Sequence, residues 1–396
     1  MKEMEKEEMN SQERKELREE LMSNREALLA TIHGKQADRI PYTIDFWWLP
    51  PGEVERKARN MGLAINYYVP CMYAYMPHVK LYSPILPGMW GVGKGFTGEV
   101  TFETPVGKVS TNVTFRDFAY AMLGNLNYEG IGSYLQGGLV KRLEDYEVLK
   151  FMAEDLEFEP CYKYIEFFKK WVGEDGLVYT FVGYHSPFTL LLIEWVGVSR
   201  LYVDLYRHPE KIEEILKILS RKYEKQYEIG ANAPADFIIY GDHIDEKLLS
   251  PQHFEKYLLP EHNKFARLAR EKGKITAIHC DGKLDKLKHV IAKLEHKIIN
   301  AFTPPPVGNL PVEEALELWK DKILWVNYEY HFMGPEALKK HLLKFLRSII
   351  PGERIIIDVS TERYVPPECL MMLVKIMSKV TLPLTEEKIE KIERSL

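Results

Sequence analysis

The sequence predicts a closed (β/α)8 barrel, and three observations carry that prediction. Eight short runs rich in Ile, Val and other apolar residues recur along the chain, each is followed by an amphipathic helix or by an insertion that contains one, and no glycine-rich phosphate turn follows the first run. Short continuous apolar strands alternating with helices imply a parallel sheet buried on both faces. Eight such units favour closure into a barrel over an open doubly wound sheet.

In chain order, residues 1–22 are dominated by Glu, Lys, Met and Arg and read as a charged, solvated segment with no catalytic content. Residues 23–396 are expected to form one barrel domain. Asn24 opens a capped helix that Gly34 stops, and Ile40 to Trp47 follows as the first strand. A helix from Pro51 to Asn60 leads to the second strand, Ala64 to Val69. From about 71 to 138 the chain turns rich in Gly, Pro and Tyr, and two alternating runs between Gly98 and Phe115, broken at Pro105 to Gly107, predict a β-hairpin inserted after the second strand. Asp145 to Trp171 reads as helix, interrupted near Pro160, and Leu177 to Tyr184 is the third strand. Pro209 starts a long helix whose buried face is Ile212, Ile215, Leu216, Leu219, Tyr223 and Tyr227. The remaining strands are Asp236 to Gly241, Ile275 to Ile278, Ile298 to Phe302, Ile323 to Asn327 and Ile355 to Val359. The helices between and after them include one opened by Ser250-Pro251 and others carrying Leu284 to Leu294, Leu338 to Leu346 and Leu370 to Val380.

Composition narrows the function. The 396 residues are 46% hydrophobic and 28% charged, with a net charge of -5 and no basic cluster, so neither nucleic acid nor an anionic membrane is an expected partner. A small molecule is. The four cysteines, Cys71, Cys161, Cys280 and Cys369, are scattered without a Cys-x-x-Cys pair or an apolar leader before them, which points to the cytoplasm. No run approaches the roughly 18 apolar residues of a membrane helix.

In a barrel of this kind active sites form where the C-terminal strand ends converge. Those ends carry Asp45, Trp47 and Trp48; Tyr68 and Cys71; Tyr184 and His185; Asp242, His243 and Asp245; His279, Cys280 and Asp281; Phe302 and Thr303; Asn327, Tyr328, Glu329 and His331; and Ser360, Thr361, Glu362 and Arg363. Imidazole, thiolate and carboxylate at the ends of two consecutive strands, Asp242-His243 and His279-Cys280-Asp281, make a plausible zinc set. A structural role for Asp242, holding a neighbouring imidazole or capping a helix, is an equal reading. Trp47, Trp48, Tyr68 and Tyr184 offer rigid aromatic wall, although two successive strand residues cannot both face inward. Glu329 and Glu362 are acid/base or ligand candidates, and Arg363 would bind an anionic group or neutralise Glu362.

Asn24 to Pro41, Glu103-Thr-Pro-Val-Gly107, Gly241-Asp242, Ser250-Pro251 with Leu259-Pro260, and His279-Cys-Asp-Gly282 together resemble the uroporphyrinogen decarboxylase superfamily, from roughly Ser23 to Val380. That resemblance implies a (β/α)8 barrel and one of two activities, porphyrinogen decarboxylation or corrinoid-linked methyl transfer. The decarboxylases carry an Arg-Gln-Ala-Gly-Arg run after the first strand and an Asp after the second. Here those regions read Trp47-Trp48-Leu-Pro-Pro-Gly-Glu53 and Tyr68-Val-Pro-Cys-Met72, without the cations that a polycarboxylate needs. The methyltransferases resemble this chain at His279, the His of their His-x-Cys-Gly zinc motif, whose Cys falls on Asp281; their late Cys has no counterpart around Ser360 to Glu362.

The resemblance therefore implies a methyltransferase that moves a methyl group between a small methylated compound and a corrinoid carried by a partner protein. His279, Asp281 and Glu362 would hold zinc. Asp242 would orient a ligand or accept a proton, and Trp47, Tyr184 and Arg363 would contact substrate. Alternatives are a lyase using Asp242 and Glu329 as acid and base, and a non-catalytic ligand-binding barrel. Homo-oligomer formation through the insertion is also an expectation.

Overall fold

In the computed structural model, residues 22–82, 96–115, 133–136, 138–242, 244–330, 333–359 and 365–396 are described. The charged segment 1–21 and parts of the insertion lie outside them. In chain order the strands are β1 (Tyr42–Asp45), β2 (Ala64–Tyr68), β3 (Met72–Tyr75), β4 (Lys80–Tyr82), β5 (Phe96–Thr104), β6 (Gly107–Phe115), β7 (Ser133–Gln136), β8 (Glu157–Pro160), β9 (Gly176–Gly183), β10 (Phe237–Tyr240), β11 (Thr276–His279), β12 (Ile298–Phe302), β13 (Ile323–Asn327) and β14 (Ile355–Asp358). Strands β1, β2 and β9 to β14 close into one barrel, each parallel to the next in sequence, with β14 returning to β1 through Tyr42 opposite Ile357 and Thr43 opposite Asp358. These are the eight predicted strands, within a few residues at each end.

Alternation along each short strand sorts the core into two layers. Ala64, Leu177, Tyr179, Phe237, Ile239, Ala277, Ile298, Ile323, Trp325 and Ile356 pack together inside the barrel. Ile65, Ile238, Tyr240, Ile278, Ile299, Leu324, Val326, Ile355 and Ile357 face outward and pack on the helices. Trp325 Nε1 donates to Thr43 Oγ1 at 3.2 Å, so even the buried indole N–H has a partner.

The N-terminal helix, Asn24–Ile32, is capped by Ser23 rather than Asn24: the Ser23 side chain accepts from the Glu26 N–H while the Glu26 carboxylate accepts from the Ser23 N–H. Leu28 and Ile32 of this helix join the interior cluster and plug the barrel. Arg25 fixes it there, donating to Asp236 at 2.8 and 2.5 Å at the foot of β10. Asp236 also accepts from the Val178 N–H at 2.8 Å and pairs with Lys169 Nζ at 3.0 Å.

The predicted hairpin is present as β5 and β6, paired from Phe96–Phe115 to Thr104–Gly107, within a four-stranded antiparallel sheet ordered β4-β5-β6-β7. The stretch predicted as one helix interrupted near Pro160 is instead helix Asp145–Asp155, strand β8, then helix Lys163–Val172; β8 pairs antiparallel with β3 of the insertion. Tertiary pairing with β3 overrides local helical pattern there. The first strand ends at Asp45, because Phe46–Trp48 turn into a short 3-10 helix, and the helix expected over Leu284 to Leu294 shrinks to Asp285–Leu287 and Lys288–Ile291.

Burial alone would raise the Asp236 pKa, but Arg25, the Val178 N–H and Lys169 outweigh it and hold the carboxyl below its usual value. A depressed carboxylate contributes stability that is present above its unfolded pKa of about 3.9 and is lost as pH falls through the folded value. Arg25→Ala is therefore expected to cost on the order of 3 kcal/mol at pH 7, with the gap to wild type closing below about pH 4 as Asp236 protonates. Urea denaturation of both proteins at pH 7 and pH 3.5 checks this; a gap independent of pH would contradict it.

Candidate functional site

The same alternation that builds the apolar interior decides what stands above it. Two residues beyond an inward-facing position comes the next inward one, so the mouth is ringed by Asp45 of β1, Asn66 of β2, His279 of β11, Asn300 of β12, Asn327 of β13 and Asp358 of β14. A polar ring thus sits on an apolar floor at the C-terminal ends of the strands.

His279 Nδ1 donates to Oδ1 of Asn300 at 2.9 Å, across the β11–β12 pairing that sets these two residues side by side. This turns Nε2 toward Asp281, whose Oδ2 lies 3.6 Å away. Asp281 is held by the loop that begins at Gly282: a Cβ at Gly282 would lie 2.4 Å from the Ile244 carbonyl oxygen, so only glycine lets the loops after β10 and β11 pass this closely. Asp245 staples the same loops, accepting from the Lys247 and Lys283 N–H groups at 2.7 and 3.0 Å.

Opposite, Tyr179 donates to Asp45 Oδ1 at 3.1 Å. Burial pushes the Asp45 carboxyl up to about 7, against the lowering effects of the Tyr179 hydrogen bond and of nearby His279. Tyr68, Phe181 and Tyr184 form an aromatic wall beside it. Phe181 and Tyr184 stack at 4.7 Å between centroids, and Tyr68 meets both edge-on at 5.3 and 6.2 Å. Gly241 allows this closeness, since a Cβ there would come within 2.8 Å of Tyr184 Cα.

Of the residues singled out from sequence, the structure brings His279 and Asp281 together and places Tyr68 and Tyr184 at the same mouth. It does not bring Asp242 to them. Asp242 is buried toward the helix layer: Oδ1 accepts from the Ser186 N–H at 3.0 Å and from the Thr189 hydroxyl, and Oδ2 accepts from His262 Nε2 at 2.8 Å. His262 Nδ1 meets His296 Nε2 at 3.1 Å, and His296 Nδ1 meets Thr276 Oγ1 at 2.9 Å. Burial drives the His296 pKa well down, so it is neutral and accepts from Thr276 while donating to His262. Burial would raise the Asp242 pKa, but the His262 bond and charge, with Thr189 and Ser186, hold it below the usual value. The carboxylate that holds a neighbouring imidazole is the role this geometry fits.

Cys280 points outward into the strand–helix layer, where burial pushes its thiol pKa well up. Glu329 stands half-buried in the loop after β13. Glu362, Arg363, His243 and His331 lie outside the described residues, as does the side chain of Trp47. Asp45 and Asn327 were on the strand-end roll without a role, and Asn66, Tyr179, Asn300 and Asp358 were not on it. Counting outward by twos from the apolar floor of each strand is the signal that finds them. Among the described residues no group of three His, Cys, Asp or Glu side chains is placed to hold a metal. Zinc bonds of about 2.0–2.2 Å put two tetrahedral ligands roughly 3.3–3.5 Å apart, so His279 Nε2 and Asp281 Oδ2 at 3.6 Å suit a shared ion, but two donors alone do not make the expected site.

Asp242→Ala leaves a buried imidazole, a hydroxyl and a backbone N–H without their acceptor. It is expected to cost about 3–5 kcal/mol of stability, read from urea denaturation at pH 7; a loss under about 1 kcal/mol would show the network to be dispensable.

A family model described as uroporphyrinogen decarboxylase (URO-D) matches residues 124–302. No curated protein matches the chain. Among solved structures, a methyltransferase from Methanosarcina mazei aligns over 89% of this chain and 97% of its own with a TM-score of 0.51 and 14% identity, a likeness of fold. A protein from Anabaena variabilis, named for the sugar phosphate isomerases and epimerases, aligns at a TM-score of 0.25 and 11% identity over 82% of this chain and 73% of its own, too loosely to bear on anything. A closed eight-stranded parallel barrel and a family match that runs from the end of the insertion through strand β12 make this chain similar to the uroporphyrinogen decarboxylase family.

Proposed function

We propose that this protein is an enzyme that moves a methyl group between a small methylated compound and a corrinoid carried by a separate protein. The observation that carries the reading is the composition of the mouth: an imidazole, carboxylates and carboxamides ring an apolar floor beside an aromatic wall, and none of the inward strand ends is Lys or Arg. A polycarboxylated tetrapyrrole needs cationic partners, so this ring argues against porphyrinogen decarboxylation and for a small methyl donor. The fold shared with a methyltransferase over most of both chains supports the same branch.

In this reading the aromatic wall of Tyr68, Phe181 and Tyr184 excludes water and seats the methyl donor, while Asn300 keeps the His279 ring turned so that Nε2 faces the mouth. His279 and Asp45 are the groups able to balance charge that moves on or off the substrate heteroatom. A reduced corrinoid, docked over the mouth by its carrier, is the methyl acceptor. Zinc on His279 and Asp281, completed by Glu362, would supply Lewis acidity to a neutral heteroatom. The described residues provide two of those three donors, and no step here is routed through the metal.

Incubating the purified protein with cob(I)alamin and a panel of methylated amines, ethers and thiols, and following the corrinoid spectrum, tests the reaction. His279→Ala is expected to slow methyl transfer at least 100-fold while leaving the melting temperature within a few degrees of wild type. No methylation from any donor class would sink the reading. Metal analysis of wild type and His279→Ala decides the zinc: one equivalent, lost in the variant, supports it, and active metal-free enzyme removes it.

A further inference from the structure

We propose that the mouth selects a small organic cation that carries its methyl groups on the charged atom, seated on the aromatic wall and faced by the acidic strand ends. The fate of that ligand rests on the methyl-transfer reading above; its binding rests on geometry alone.

One face of Tyr184 is covered by Phe181, with ring planes only 22° apart, yet the residue is 56% exposed, so its other face is open at the mouth. An uncovered tyrosine face with a second ring edge-on beside it presents the negative part of its quadrupole to whatever enters. Among the described residues, the lysines seated over rings are Lys163 on Tyr164 and Lys256 on Tyr257, both elsewhere. Across the mouth stand Asp45, Asp358 and Asp281. The groups that act on Asp45 are Tyr179 and His279, with no lysine or arginine among them. An anionic substrate would be opposed by the Asp45 carboxylate, and a cationic one would be drawn to it. A methylated ammonium or sulfonium satisfies both sides: its methyl groups pack on the rings, and its charge answers the carboxylates.

The chemistry follows from the charge. When the bond between methyl carbon and heteroatom breaks, its electron pair stays on the heteroatom, which becomes a neutral amine or sulfide. The reduced corrinoid supplies the pair for the new bond to carbon and is oxidised by two electrons in doing so. The donor thereby loses the charge that held it in the mouth, so product is bound more weakly than substrate. No proton has to move.

Calorimetric titration of the full-length protein with choline and with its uncharged isostere 3,3-dimethylbutan-1-ol reads the selectivity directly. Choline is expected to bind at least tenfold more tightly. Tetramethylammonium and trimethylsulfonium should compete with it, and whichever of them methylates cob(I)alamin identifies nitrogen or sulfur as the donor atom. Tyr184→Leu should abolish the preference and Tyr184→Phe should keep it, both with an unchanged melting temperature. Equal affinity for choline and the alcohol, or a preference indifferent to Tyr184→Leu, would overturn the proposal. Selective cation binding without methylation of cob(I)alamin would overturn methyl transfer and leave the cation site standing. Methylation from neutral donors alone, without cation selectivity, would do the reverse.

Discussion

Every second side chain of a closed eight-stranded barrel points into the space that the strands enclose, and this constraint governs the molecule from its floor to its mouth. The floor is filled by residues as different as Ala277 and Trp325, large against small across the barrel, with Leu28 and Ile32 of the N-terminal helix sealing it. One step further along each strand the same parity brings Asp45, Asn66, His279, Asn300, Asn327 and Asp358 inward. A polar side chain in such a place is costly unless it is hydrogen-bonded or meets a ligand. His279 is tied to Asn300 and Asp45 to Tyr179, so the ring is organised before anything binds.

The helix layer behind the mouth is organised by a different interaction. Asp242 reaches the segment after β9 through Ser186 and Thr189 and the helix Leu259–Glu271 through His262, and the chain of contacts continues through His296 to Thr276 at the start of β11. Four elements are thereby locked by one buried carboxylate and two imidazoles. Such a network is worth keeping only when complete, because each member would otherwise be a buried polar group without a partner. Through Thr276 it reaches the start of β11, the strand that ends at His279.

Tyr184 shows how the two systems meet. It belongs to the loop between β9 and the Ser186–Thr189 turn that Asp242 holds, and it leans on Phe181 of the strand itself. The aromatic wall is therefore set by the barrel on one side and by the buried network on the other. Gly241 completes the arrangement by letting the ends of β9 and β10 approach until the Gly241 N–H donates to the Gly183 carbonyl at 2.8 Å.

The eight strands, the N-terminal helix and the β5–β6 hairpin were legible in the sequence because each rests on local periodicity, caps and turn residues, which act over a few positions. So was His279, since a strand that ends in an ionisable residue is visible without knowing its neighbours. The placement of Asp242 was not, because its partners Ser186, Thr189 and His262 lie 20 to 56 positions away along the chain. Strand β8 was missed for the same reason: Glu157–Pro160 is a strand only because β3 lies beside it. The sequence by itself determined which segments are barrel strands and how many of those there are. Only barrel closure decided which side chains at their ends share a mouth, because inward and outward differ by a single residue of register that composition does not reveal.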